Sequence, residues 1–579
     1  MDIKRKPRIL WVGEATFLKT GYSVYGHEVL KRLHATGKYE IAELGGYADE
    51  TATERFKLPW TFYGNAPVEN QSHPSYNDEA VSLYRSQNTY QFGEWRFEDV
   101  CLDFRPDIVM DIRDHWMHEF IARSPFRPHF KWLVMPTIDS APQQEQWLAT
   151  YLDADIVTTY SQFGKDCLEQ ETNGSIKVAD ITPPGADLSA FKPVEDKEKH
   201  KEECGLDPNC KIVGTVMRNQ VRKLFPDLFK SFADFGRKHP DIAENTFLYA
   251  HTAWPDLGWD IPSLLRENDI GHRVLFTYVC QQPNCKYVFP SFFQGGRTTC
   301  QKCHRRTAKL PTTQSGVNNQ QLAAIYNWFD VYVQYSVCEG FGMPQVEAAS
   351  CGVPVMAVDY SAMQSVVKDL KGTPIDVQRM FRDANTQQWR ALPDNDDFVE
   401  KLAKFLSKPT TVRRHKGREA YNQVLKKYNY DITATKWEAI IDGVELREEI
   451  ETWDSPPRLN TPNTSPPRNM NPEQLVHWAV LNTWGEPDQV QSYVALRMLR
   501  DLQYGSTVGG TGGLFFNEAS HLANKNVYHQ FLPEHAIRQF YDMAERRNTY
   551  EKRRVGMIKV ATPSFVKNKK EDINGTNKR

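Results

Sequence analysis

Short, wholly apolar runs alternate with longer amphipathic stretches along much of the chain. Residues 8–13 (RILWVG) open the pattern and predict a buried strand, followed by a loop through Thr20, Gly21 and Tyr22 and a helix over about 23–33. Similar runs at 108–111, 132–135 and 156–159 predict further strands with helical segments between them. Strands that alternate with helices in this way build a parallel sheet covered on both faces. The turn-rich stretch TPPGADLSAFKP and the charged run EDKEKHKEE interrupt the pattern, and a strand at 212–216 starts it again. Strands near 247–250, 274–277 and 330–335 continue the second half. The pattern therefore predicts one α/β domain over 1–195 and a second over 205–430. The segments ADIVTTYS (154–161) and FDVYVQYS (329–336) share an order of Asp, apolar strand, Tyr and Ser, a faint echo that fits either two similar folds facing each other or the coincidence of a short match. Beyond 430 the pattern changes. Residues 431–453 predict a crossover helix, 454–472 are rich in proline and read as a linker, 473–565 read as a mainly helical extension, and 566–579 as a disordered tail.

Composition adds little to this picture: 579 residues, 40% hydrophobic and 25% charged, suit a soluble protein of two or three domains. A net charge of -2 confines any affinity for nucleic acid or an anionic surface to a local patch. No apolar run approaches the roughly 20 residues of a membrane-spanning helix, and the N-terminus leads directly into the first strand without a signal peptide. Ten cysteines, scattered singly except for one cluster, suit a reducing, cytoplasmic location better than a disulfide framework.

The densest chemistry lies in Ser336–Ala348 (SVCEGFGMPQVEA). Gly340 and Gly342 turn the chain sharply out of the preceding strand, and Pro344 opens a helix. Such a turn offers unpaired backbone N–H groups and the positive end of a helix dipole, a good cradle for a diphosphate. Glu347, about one turn into the helix, is placed to accept the two hydroxyls of a ribose, and Glu339, on the strand side, to meet a sugar. Each such charge-assisted hydrogen bond contributes roughly 1.5–3 kcal/mol.

This segment resembles the E-x7-E signature of retaining GT-B glycosyltransferases of glycosyltransferase family 4, with Glu339 and Glu347 at its two glutamate positions. The resemblance runs over roughly 8–450 and implies two facing Rossmann-like domains, the second binding a nucleotide diphosphate sugar. It implies that Arg218 and Lys223, in GTVMRNQVRK, neutralise the donor diphosphate. Leu224 stands where the family usually has glycine, so Arg222 shares or takes the lysine's role. The resemblance further implies that Gly21 admits the donor phosphates and that His115 contacts the sugar. Asp139 would line the acceptor side. The implied catalytic set is Glu339, Arg218, Lys223 and His115. The implied donor set is Gly21, Arg218, Lys223, Glu339, Gly340, Phe341, Gly342 and Glu347. No Asp-x-Asp motif sits at an obvious strand end, in keeping with donor binding that needs no catalytic divalent metal. Cys338 adjoins the turn without a histidine partner, so a nucleophilic role is not expected.

One segment stands outside the resemblance. Cys280-x4-Cys285 and Cys300-x2-Cys303 bring two cysteine pairs together within 278–312, the pattern of a zinc ribbon holding a closed structural site. The segment carries Lys286, Arg297, Lys302, Arg305, Arg306 and Lys309 among aromatic residues, with no acidic residue. It reads either as a support for the fold or as a contact for a nucleic-acid backbone. The acceptor is accordingly a macromolecule such as hydroxymethylated DNA, or else a glycan, a lipid head group or a small metabolite. The alternative of a different class is an inactive fold that serves as a binding module.

Overall fold

The structure, a computed structural model, describes residues 5–124, 126–312 and 316–446. The predicted linker, helical extension and tail lie outside the described residues, as does the end of the crossover segment.

The apolar runs form the strands of two sheets. The first contains β1 (Arg8–Glu14), β2 (Glu40–Gly46), β3 (Thr61–Gly64), β4 (Ile108–Arg113), β5 (Lys131–Pro136), β6 (Ile156–Thr159) and β7 (Val178–Ile181), in the order β3-β2-β1-β4-β5-β6-β7. All its pairings are parallel. Because helices cover both faces, the central strands are largely apolar on both sides; every residue of β4 is buried, including Asp111 and Arg113, which pair with each other at 2.7 Å.

The second sheet contains β8 (Lys211–Val216), β9 (Thr246–His251), β10 (Val274–Cys280), β11 (Val288–Phe292), β12 (Ala308–Lys309), β13 (Val331–Gln334), β14 (Val355–Val358) and β15 (Thr373–Ile375). Its order is β11-β10-β9-β8-β13-β14-β15, with β12 added beside β10. The strands β10, β9, β8, β13, β14 and β15 run parallel, whereas β11 and β12 are antiparallel to β10. A separate hairpin, β16 (Val377–Arg382) with β17 (Trp389–Pro393), follows.

Read from its first strand, each sheet has the same order of its first six parallel strands: third, second, first, fourth, fifth, sixth. The two domains are thus similar folds, but the likeness between 154–161 and 329–336 does not relate equivalent strands, because β13 holds the place of β4 rather than of β6. Short motifs of Asp, apolar strand and Ser recur because an aspartate or serine suits either end of any buried strand.

The chain closes on itself through the helix Tyr430–Asp442, which packs on the helix Gly21–Ala35 of the first domain. Buried Trp437 donates its indole N–H to the Tyr25 hydroxyl at 2.7 Å, and Thr433 donates to the Pro183 carbonyl at 2.7 Å. Among the described residues, no helix is long and apolar enough to cross a membrane.

Candidate active site at the carboxyl ends of the strands

In an open parallel sheet, ligands bind beyond the carboxyl ends of the strands, where loops converge. Here the carboxyl ends of both sheets meet. β13 ends at Gln334, and the chain passes through Glu339 and Gly340 to the helix Met343–Ser350. Gly342 caps that helix at φ 86, a left-handed conformation that favours glycine.

Glu339 is 5% exposed and fully engaged. Its carboxylate accepts from Arg222 Nη1 at 2.7 Å, from Gln334 Nε2 at 2.9 Å and from the Lys223 ammonium. Its backbone N–H donates to Ser361 Oγ at 2.9 Å. Ser361 is buried at φ 55, a conformation that costs a non-glycine residue on the order of 1 kcal/mol or more and persists only where surroundings enforce it. A buried carboxylate is tolerable when paired in this way, and removing one partner leaves an uncompensated charge. The loop that supplies the two cations is itself pinned. Trp259 donates its indole N–H to the Lys223 carbonyl at 2.8 Å, and the Asn219 side chain bonds both the N–H and the carbonyl of Trp259.

The structure thus gathers Arg222 and Lys223 around Glu339, but not Arg218. Arg218 forks onto Asp256 at 3.0 and 3.1 Å on the protein surface. Glu347 lies along the helix and accepts from the Tyr326 hydroxyl at 2.7 Å. Burial pushes its carboxyl up to about 7, against the opposing pull of that hydrogen bond.

The first domain closes on this turn. A Cβ placed on Gly340 would stand 2.3 Å from Thr137 Cγ2, so a side chain there would force the Thr137 methyl, or the loop after β5 that carries it, to shift. Gly21, at the start of its helix, faces Met343 across the cleft at 3.7 Å from where its Cβ would be. Next to it, the Tyr22 hydroxyl bonds Asp114 Oδ1 at 2.7 Å and Thr137 Oγ1 at 2.8 Å. Burial pushes Asp114 up to about 6. His115 follows Asp114 and stacks on Trp147 with ring centroids 3.3 Å apart. Burial lowers its imidazole to about 3, so the ring is neutral at pH 7 and can both donate and accept.

Asp139 is tied to the second domain. It accepts from Arg390 Nη1 at 3.2 Å, and the Cys338 thiol donates to it at 3.3 Å. Burial and the Asp139 charge push that thiol up to about 12, which leaves Cys338 protonated and a poor nucleophile. Arg390 comes from β17, whose hairpin also bonds the Ala141 carbonyl through the Trp389 N–H at 2.8 Å.

Sequence reasoning missed Arg390, Ser361, Tyr326 and Tyr22 as parts of this site. Gln334 carried a signal: an amide at the last position of an otherwise apolar buried strand has to find a polar partner.

The four cysteines of the insertion come together. β10 runs on to Cys280, and the Sγ atoms of Cys280, Cys285, Cys300 and Cys303 lie within 4.8 Å of one another. Cys280 and Cys303 are 3.6 Å apart, Cys285 and Cys300 3.7 Å, and none is in a disulfide. Four thiolates around one zinc at the usual bond length of about 2.3 Å stand roughly 3.8 Å apart, so this donor set fits a tetrahedral ion.

Comparison with known proteins bears on the fold and on one segment. Residues 312–423 match the family described as "Glycosyl transferases group 1". The D-inositol 3-phosphate glycosyltransferase of Nocardia farcinica is 26% identical over 192 residues, 33% of this chain and 34% of the relative. Its counterpart from Corynebacterium kroppenstedtii is 22% identical over 219 residues, 38% of this chain and 41% of the relative. The chain therefore matches well under half the length of either relative. Among solved structures, sucrose-phosphate synthase from Thermosynechococcus elongatus superposes with a TM-score of 0.52 at 17% identity, covering 76% of this chain and 98% of that one. Anabaena HepE, in a complex with UDP and glucose, gives a TM-score of 0.51 at 12% identity, covering 76% and 100%. At such identities the likeness carries the architecture: an α/β GT-B fold, in which two Rossmann-like domains face each other across a cleft.

Proposed function

We propose that this protein is a retaining glycosyltransferase that moves a sugar from a nucleotide diphosphate sugar to an acceptor hydroxyl. The observation that carries the reading is the placement of Glu339 with Arg222 and Lys223 at a helix-opening glycine turn, with Glu347 further along that helix and Gly21 opposite. The donor diphosphate lies against the helix N-terminus and the two cations, which neutralise the charge that develops as the nucleotide leaves. Arg218 joins them on leaving Asp256. Glu347 accepts the ribose hydroxyls, Glu339 a hydroxyl of the transferred sugar, and neutral His115 a further one. Gly340, Phe341 and Gly342 bring the backbone close to the sugar, and Asp139 lines the acceptor side. The bond between the anomeric carbon and the phosphate oxygen breaks while the acceptor oxygen bonds that carbon on the same face. The acceptor proton passes to the leaving phosphate oxygen.

HepE was solved with UDP and glucose, which makes UDP-sugars the first donors to try. The four cysteines hold a structural zinc that fixes the insertion and takes no part in transfer. On the acceptor side we favour a macromolecule in the cytoplasm, a hydroxymethylated base in DNA being a concrete case. The intact Glu339 cluster argues against an inactive binding module.

The test is incubation of the full chain with UDP-, GDP- and ADP-sugars and candidate acceptors, followed by mass spectrometry. Transfer or donor hydrolysis is expected, with Glu339→Ala lowering kcat by roughly 10²-fold or more. No turnover together with no nucleotide-induced thermal shift would end the proposal.

A further inference from the structure

We infer that the cysteine insertion is a docking surface for the phosphate backbone of a nucleic acid, positioned to deliver that polymer to the cleft. The first observation is charge. Between Asp269 and Asp330 the chain has no acidic residue, and within this interval Lys286, Arg297, Lys302, Arg305 and Arg306 are all exposed. Among the described residues these cations meet only neutral groups: Arg305 donates to the Gln282 amide oxygen at 3.3 Å and Arg306 to the Arg297 carbonyl at 3.2 Å. A protein whose overall charge is -2 keeps such a block against the trend of the rest of its surface. Unneutralised guanidinium groups of this kind suit phosphate oxygens, which they can bind in a bidentate fashion.

The second observation is rigidity. Backbone hydrogen bonds join Thr298 and Ala308 in both directions, and the Cys300 N–H donates to the Arg305 carbonyl at 2.9 Å. The tip that carries the cations is therefore held by the cysteine cluster and by β12, and the Gln321 side chain anchors it to the body at the Lys286 carbonyl, 3.0 Å away. Ordered cations lose less freedom on binding than cations on a floppy tail.

The third observation is place. β8, β9, β10 and β13 run parallel, so Cys280 leaves its strand on the same rim from which the loops of Arg222 and Glu339 leave theirs. Three strand spacings separate β10 from β13, about 14 Å along the rim at ~4.8 Å each. A bound polymer spans that distance within a few nucleotides. An anionic membrane is the weaker fit. Among the large apolar side chains of this segment only Phe292 is substantially exposed, too little to anchor in lipid.

The inference rests on the proposed transfer only for what happens to the docked polymer, and binding is measurable without it. With the full zinc-loaded chain, fluorescence anisotropy of a labelled DNA duplex should show saturable binding that weakens by roughly two orders of magnitude between 50 and 200 mM salt, as about four phosphate contacts require. The triple variant Arg297→Gln, Arg305→Gln, Arg306→Gln should lose about tenfold or more in affinity. It should keep its zinc content, its melting temperature and its rate of nucleotide-sugar hydrolysis. Equal binding by the parent and the triple variant overturns the inference. So does tighter binding to phosphatidylserine vesicles than to DNA with the same dependence on the three arginines. If DNA binds as expected while no nucleotide sugar turns over, the transfer proposal fails alone.

Discussion

Glu347 sits at about 7, well above the 4.5 of an ordinary glutamate, because burial disfavours its charged form. Two consequences follow from that shift. As a ribose ligand the side chain needs to be ionised to accept both hydroxyls, so kcat/KM for the donor should fall as pH drops below about 7, and Glu347→Gln should flatten this limb while raising the donor KM. The effect on stability has the opposite direction. Between about 4.5 and 7 the native state holds a proton that the unfolded state has released, so stability decreases as pH rises through that window. Denaturant titrations of the parent and Glu347→Gln at pH 5 and pH 8 should show the parent losing more stability than the variant, which keeps only the smaller loss that raised groups such as Asp114 and Glu171 cause in both. A variant that leaves both profiles unchanged would remove Glu347 from the donor site. The two glutamates and their spacing were legible in the sequence, but their environments were not. Tyr326, the partner of Glu347, lies in a separate helix, and Ser361, which bonds the Glu339 N–H, opens another and sits at a positive φ that no local pattern announces.

At the scale of elements, the strand-turn-helix unit around Gly340 was readable because an apolar strand, two glycines and a proline each constrain the backbone locally. The hairpin β16–β17 was not. β16 has no fully buried position and carries arginines at 379 and 382, so it lacks the alternation of a half-buried strand. Its role depends on tertiary contacts: through Arg390 and Trp389 it fastens the loop after β5 to the loop of Cys338. That fastening holds Thr137 against Gly340. Gly340→Ala should therefore force the two loops apart, at a cost of roughly 1–3 kcal/mol, and depress transfer more than it depresses folding. Adding Thr137→Ser removes the offending methyl and should restore much of the activity. Failure of the second change to rescue the first would mean that the close approach does not matter for turnover. The hydroxyl that bonds Tyr22 is kept in this double variant, so the comparison isolates the methyl group.

For the molecule as a whole, the two α/β domains were legible from periodicity alone, because buried parallel strands read as continuous apolar runs. Strand order was not, since nothing in a strand's own sequence names its neighbour. The order also shows what the insertion does to the sheet it joins. Without it, β10, a seven-residue strand buried throughout, would end the second sheet with a row of unpaired N–H and C=O groups, the kind of margin that recruits strands from other molecules. β11 covers that margin and ends the sheet instead with a short strand interrupted by Pro290, which has no N–H to offer a newcomer. Replacing residues 281–307 by a short glycine-serine loop should accordingly yield a protein that self-associates, seen as a concentration-dependent rise in mass by light scattering, and metal stripping with a thiol-reactive mercurial should move the intact chain in the same direction. The cysteine insertion is thus a hem on the sheet as well as a surface, and its loss would leave that margin open to fray against its neighbours.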